Sequence, residues 1–256
     1  MQIDVQQLGV HRRGRPVLRD VSLAIEAGQT IAVVGPNGAG KTTLLLSMLG
    51  LLPAETGEVR LDGAPLPKLT RRQIARRAAY VPQFHEGFLG FRVRDIIETG
   101  RYAHLDPLAP MASDDRAAVE AAIERCDVRD LLDRTADTLS GGERQKVWLA
   151  AAVAQEAPAL LLDEPTNSLD PRHQAELIRM LRELARAGKT LVVVCHDLNL
   201  ATMLDARVVA LQQGRVVFDG PATEFLVPDR LREVFETEFT GFRDEQTNRK
   251  MVQLRW

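Results

Sequence analysis

The chain is poor in cysteine. Among its 256 residues only Cys126 and Cys195 occur, and they lie far apart. Two such thiols do not make a disulfide framework, and no charged and apolar leader opens the sequence, so secretion is not indicated and the cytosol is the expected compartment. Net charge is almost absent as well. Lys and Arg number 33 against 35 Asp and Glu, for a formal charge of -2, which offers no electrostatic case for a nucleic-acid partner. Long apolar runs are missing too: the longest, "LLLSMLGLL" from Leu44 to Leu52, is far short of the ~20 residues a membrane-spanning helix needs. Any role at a membrane is therefore expected to run through a partner. No internal repeat or low-complexity segment is visible. What is present is ordinary: 45% apolar and 27% charged residues, a balance that excludes disordered and fibrous classes. The length supports one domain with room for an inserted subdomain.

Short β-rich segments alternate with helical ones, which predicts an α/β fold around a largely parallel sheet. "IDVQQLGV" and "VSLAIEAGQ" alternate apolar and polar residues, as half-buried antiparallel strands do. "TIAVVG", "ALLLDE" and "TLVVVCHD" are unbroken apolar runs, expected to be strands covered on both faces. Between Phe84 and about Gln155 strand signals give way to helical periodicity, including Asp114 to Cys126 with Val119, Ile123 and Cys126 on one face. The expected organisation is a core from 1–83 and 156–220 that includes an N-terminal antiparallel β subdomain, an inserted helical subdomain from 84–155, and a C-terminal segment from 221–256. That last part is read as short helical pieces and a polar tail, Asp244 to Lys250, without functional signal.

The first chemical motif is "GPNGAGKTT", Gly35 to Thr43, which satisfies G-x-x-x-x-G-K-[ST] between the strand "TIAVV" and the apolar "LLLSML". Gly35, Gly38 and Gly40 allow backbone N–H groups to turn inward around phosphate oxygens, at the start of a helix whose positive end adds to the attraction. Lys41 is expected to reach the β- and γ-phosphates and Thr42 to offer its hydroxyl to Mg²⁺. Pro36, Asn37, Ala39 and Thr43 complete the phosphate-facing run. The second motif, "ALLLDEP", ends a buried strand in two carboxylates. Asp163 is placed to hold Mg²⁺ through water, since this cation keeps several waters and takes few protein carboxylates. Glu164 is placed to orient and polarise an attacking water, because phosphoryl transfer asks mainly for positioning and charge stabilisation. Together the motifs define a P-loop nucleotide hydrolase that uses Mg²⁺, but they do not separate a kinase from a motor.

The motifs that follow narrow the class. "LSGGE" at Leu139 to Glu143, "YVPQ" at Tyr80 to Gln83, "SLD" at Ser168 to Asp170 and "CHD" at Cys195 to Asp197 resemble, in content and order, the ATP-binding subunits of ABC transporters. The resemblance covers the chain to about Phe235, and it implies the ABC ATPase fold: a RecA-like P-loop core, an antiparallel β subdomain and an inserted helical subdomain. It implies that two copies pair head to tail. Ser140, Gly141 and Gly142 would then contact the γ-phosphate of an ATP held by the Lys41 of the opposite copy, at the N-terminus of a helix. Gln83 matches the glutamine that senses Mg²⁺ and the attacking water, His196 the switch histidine on the γ-phosphate, and Asp170 the aspartate that tunes the dimer contact. The family usually stacks an aromatic residue on adenine. Here Arg12 aligns with that position, flanked by His11 and Arg13, with no Tyr, Phe or Trp at hand. A guanidinium plane can stack on a base, and the expectation is weak discrimination of ATP from GTP.

Two further segments resemble one group within the family. "DIIETGRYAHL", Asp95 to Leu105, and "HDLNLA", His196 to Ala201, look like importers of iron-siderophores, haem and cobalamin, as does "GRVVFDGPATEFLVPDRLREVF". The alternative for "GRYAH" is a mere helix end with Arg101, Tyr102 and His104 on a solvated face. His104 and His85 are too isolated to suggest that the chain itself binds metal. The resemblance implies an ATPase subunit on the cytoplasmic face of the inner membrane, working on separate permease subunits and, indirectly, a substrate-binding protein. An exporter subunit and a soluble ABC ATPase acting on ribosomes or DNA are the alternatives.

Overall fold

The computed structural model describes residues 1–83, 90–106, 110–167 and 169–255. His85, Ser168 and the expected boundary at residue 84 lie outside them. The chain opens with β1 (Ile3–Arg12) and β2 (Arg15–Ile25), an antiparallel pair in which Arg12 faces Arg15. Their two-residue turn takes Arg13 at φ 51° and Gly14 at φ 74°, the left-handed pair that matches the twist of a tight hairpin. Then come β3 (Thr30–Val34), α1 (Lys41–Met48), β4 (Thr56–Leu61), the short β5 (Ala64–Pro65), α2 (Arg71–Ala75) and β6 (Ala78–Val81).

Helices follow: α3 (Val93–Thr99), α4 (Ser113–Cys126) and α5 (Gly141–Ala154). The chain returns to the core with β7 (Ala159–Asp163), α6 (Pro171–Arg186), β8 (Thr190–Val194), α7 (Asn199–Met203), β9 (Arg207–Gln212) and β10 (Arg215–Pro221). It closes with α8 (Ala222–Phe225), α9 (Pro228–Phe235), β11 (Phe239–Arg243) and β12 (Lys250–Leu254).

One sheet runs β2-β1-β4-β5 and is antiparallel. The other runs β10-β9-β3-β8-β7-β6; it is parallel except for the edge strand β10. Every residue of β7 and β8 is buried, as unbroken apolar runs demand. The period of two divides β3 between two cores: Ile31 and Val33 join α1 and the antiparallel sheet, while Ala32 and Val34 join the helical side. Helix α1 is held between the two sheets through Leu44, Leu45 and Met48, all fully buried. Val119, Ile123 and Cys126 of α4 are buried with α3 and α5, as their spacing predicts. Among the described residues no helix is long and apolar enough to cross a membrane.

One expectation and one alternative reading change. Asp244 to Lys250 is not a trailing polar tail: β11 and β12 form an antiparallel hairpin with Phe239 facing Leu254, and the polar run makes its turn. Asp244 Oδ1 accepts from Thr247 N at 2.7 Å and Oγ1 at 2.6 Å, a side chain standing in for a backbone turn. Asn199 holds the hairpin to α7, donating to Val252 O at 3.0 Å and accepting from Val252 N at 2.9 Å. "GRYAH" is not a solvated face either. Arg101 is buried and donates to Asp115 Oδ1 at 2.9 Å, Ala154 O at 2.7 Å and Glu156 Oε2 at 2.8 Å. The guanidinium beside Asp115 holds that carboxyl below the usual range. His104 Nε2 pairs with Gln155 O at 2.9 Å, while Arg72 of α2 and Arg76, just past its end, donate to Ala103 O. A guanidinium with several fixed donors can join elements in this way where a solvated one could not. Only Tyr102, 70% exposed, points out.

Candidate active site

The loop between β3 and α1 is shaped by its glycines. Gly35 has φ 144°, and a Cβ there would lie 2.1 Å from Leu211 O on β9. Gly40 has φ 103°, and its Cβ would meet Leu18 Cδ2 at 2.7 Å. At Gly35 both the backbone conformation and the carbonyl exclude a side chain; at Gly40 the left-handed backbone does, and the Leu18 methyl would also have to move. Lys41 opens α1, buried, with Nζ donating to Gly35 O at 2.8 Å and Pro36 O at 3.0 Å. Burial pulls its ammonium below the ordinary lysine range, and the nearby Glu164 and Asp163 charges oppose that. The ammonium thus sits over the concave side of the loop, held by carbonyls that an anion would replace.

Strand β7 carries the two carboxylates to the same place. Asp163 is buried, its Oδ2 accepts from Tyr80 Oη at 3.5 Å, and its Oδ1 has no hydrogen-bond partner. Burial raises its pKa, an effect the Thr42 hydroxyl partly offsets. An orphaned buried carboxylate oxygen is costly; with a hydroxyl beside it, it is the hard oxygen donor set that suits Mg²⁺.

Glu164 leaves the strand at φ 50°, a left-handed conformation unusual for a residue with a side chain and of the kind stored at functional sites. Its N–H donates to Val194 O at 3.0 Å, so β8 stabilises the turn. The carboxylate then receives Gln83 Nε2 on Oε2, His196 Nε2 on Oε1 at 2.5 Å and Asn167 Nδ2 at 3.4 Å. Glu164, Gln83 and His196, far apart in sequence, therefore meet at one carboxylate. Tyr80 and Asn167 carry no motif signal of their own, although each lies beside or inside a quoted segment.

A concavity of about 320 Å³ brings Arg12, Val17, Gly38, Lys41, Thr42 and Glu164 together. Arg12 is there because the β1–β2 turn reaches over the loop. Its neighbour His11 is instead tied to Glu55 at 2.7 Å. Ser140, Gly141 and Gly142 do not line this concavity. They begin α5, where Ser140 Oγ accepts from Glu143 N at 3.3 Å and Glu143 Oε2 accepts from Ser140 N at 2.8 Å. This reciprocal cap satisfies the N–H groups of Ser140 and Glu143 and fixes the positive end of α5 at the signature turn. Asp170 caps α6, accepting from His173 N at 3.0 Å. The buried thiols of Cys126 and Cys195 are pushed up to about 12 by burial, so neither is a ready nucleophile.

Residues 18–167 match the family model described as ABC transporter. The chain belongs to the ABC transporter family. It is 42% identical, over 96% of its own length and 87% of the relative's, to the hemin import ATP-binding protein HmuV of Streptomyces coelicolor. It is 35% identical, over 96% and 92%, to the iron(3+)-hydroxamate import ATP-binding protein FhuC of Bacillus subtilis. Its structure is similar to an ABC transporter described as of metal-chelate type and solved facing inward, with a TM-score of 0.86, 25% identity, and coverage of 99% of this chain and 97% of that one. The fold is the ABC ATPase fold, and the chemistry of this ABC transporter chain is ATP hydrolysis.

Proposed function

We propose that this chain is the ATP-hydrolysing subunit of an importer that carries a chelated-metal cargo (haem, a ferric siderophore or cobalamin) across the cytoplasmic membrane. The observation that carries the reading is the kinship just described, in which the import ATP-binding proteins match nearly the whole chain. In this reading the chain sits on the cytoplasmic face, bound to permease subunits served by a substrate-binding protein. The inserted helical subdomain, 84–155, makes the contact; among its described residues Phe91 and Tyr102 are the large exposed apolar side chains.

The geometry supports a composite site. Lys41 and the loop glycines hold the phosphates of ATP. Thr42, Asp163 and Gln83 would hold Mg²⁺, which when bound neutralises charge on the β- and γ-oxygens. Glu164 takes the proton of the attacking water, and His196 bonds the γ-phosphate. The signature turn of Ser140 to Gly142 lies outside its own chain's concavity and closes on the γ-phosphate held by a second copy, placed head to tail. ATP supplies the anion that the two α5 N-termini require, so the copies close. Hydrolysis divides that charge and they reopen, and the permease follows.

Uptake of labelled haem, ferric siderophore and cobalamin by cells carrying either the wild-type chain or Glu164→Gln tests the reading. One of the three is expected to enter only with the wild type. Efflux, or wild-type uptake in the variant, would contradict it. Base recognition follows from Arg12. A guanidinium stacks on either purine without reading its edge, so kcat/KM for ATP over GTP is expected to fall well below a hundredfold, and a larger preference would overturn that role.

A further inference from the structure

Two segments that face the dimer in this reading, the signature turn and the Asp170 loop, are joined inside one chain by a single imidazole. Asp170 Oδ1 accepts from His173 N at 3.0 Å, and Oδ2 pairs with His173 Nδ1 at 2.7 Å. Held by both its backbone and its ring, His173 has little rotamer freedom left. The ring lies flat on Gly142: a Cβ built there would stand 2.5 Å from its Cγ, 2.6 Å from Cδ2 and 2.9 Å from Nδ1. Gly142 thus has a second reason to lack a side chain, apart from the approach of a phosphate. One turn further along both helices, Lys146 of α5 pairs with Glu176 of α6 at 2.6 Å, and Glu176 also takes Arg172 at 3.1 Å. The first turns of α5 and α6 are therefore fastened side by side, with the imidazole at the end nearest the dimer face.

We propose that His173 is a positioning residue that fixes Ser140, Gly141 and Gly142 in register with Asp170, so that each copy presents its signature turn and its Asp170 loop to the partner as one unit. The inference rests on the composite-site reading above. An anion site at a helix N-terminus works through the direction of its N–H groups, and a displacement of about 1 Å at a reacting site can cost on the order of a hundredfold in rate. Ring packing against Gly142 restrains that direction, and the tie to Asp170 sets the ring. His173 touches no substrate in this arrangement. Its loss acts on turnover and leaves the Lys41 loop, where ATP first binds, untouched.

The test uses the full-length chain with its permease and measures ATP Kd, kcat and thermal midpoint for two variants. His173→Ala removes ring and tie and is expected to keep Kd within about twofold while kcat falls about tenfold. His173→Phe keeps a ring of similar size on Gly142 and drops only the tie to Asp170; it is expected to fold as the wild type does, with kcat reduced severalfold. Wild-type kcat in either folded variant, or a Kd that worsens in step with kcat, would overturn the inference. Ser140→Arg, measured alongside, separates this failure from that of the larger reading. If Ser140→Arg halts turnover with ATP affinity intact while His173→Ala and His173→Phe turn over normally, only the role of His173 falls. If Ser140→Arg loses ATP affinity, the composite site fails and takes this inference with it.

Discussion

Glu164→Gln is expected to bind ATP at least as tightly as the wild-type chain and to hydrolyse it about 10²–10⁴-fold more slowly, the range that a positioned general base contributes. The amide has the shape of the carboxylate, so the β7 turn survives, and its oxygen can still accept from Gln83 or His196, which now both meet Glu164. What it lacks is the capacity to take a proton from water. Removing a negative charge beside the incoming triphosphate also lowers repulsion, so binding does not suffer and closed pairs accumulate. Phosphate release under saturating ATP, combined with size-exclusion chromatography, reads both effects. Turnover near the wild-type rate would remove Glu164 from the role of base.

Lys41→Ala is expected to fail earlier, at binding. The ammonium is buried and bonded to two carbonyls of its own loop. ATP replaces those contacts by charge-assisted bonds to phosphate oxygens, worth about 1.5–3 kcal/mol, or on the order of ten- to a hundredfold in Kd. Alanine forfeits them and leaves the loop carbonyls unpaired. Titration with a fluorescent ATP analogue checks the loss; affinity within twofold of the wild type would contradict it.

Much of this site was legible because its chemistry is local. The loop glycines, Lys41 and Thr42 lie within a single run, bounded by a strand and a helix whose periods are clear. The unbroken apolar runs within β3, β7 and β8 announce their burial directly. Less could be read where one residue depends on distant ones. Arg101 looks like a solvated helix end until Asp115 and Glu156, 14 and 55 positions away, are seen against it. The left-handed turn at Glu164 is invisible in "LLLDEP", since its stabilising bond comes from Val194 on another strand. The C-terminal hairpin has short strands, with Gly241 in one and a charged run between them, so its pattern resembles a loose tail. Its order comes instead from Asn199, at the start of α7. His173 gave no signal at all, because its partner Gly142 has no side chain.

The central claim is that each ATP is shared, with Lys41, Asp163 and Glu164 on one copy and Ser140 to Gly142 on the other. ATP affinity and turnover of Ser140→Arg test it most directly. The expected result is an affinity close to that of the wild type, since the concavity around Lys41 contains none of the signature residues, together with loss of hydrolysis, because the arginine fills the place where the partner's γ-phosphate must dock. An affinity as poor as that of Lys41→Ala, or hydrolysis that continues unchanged, would contradict it.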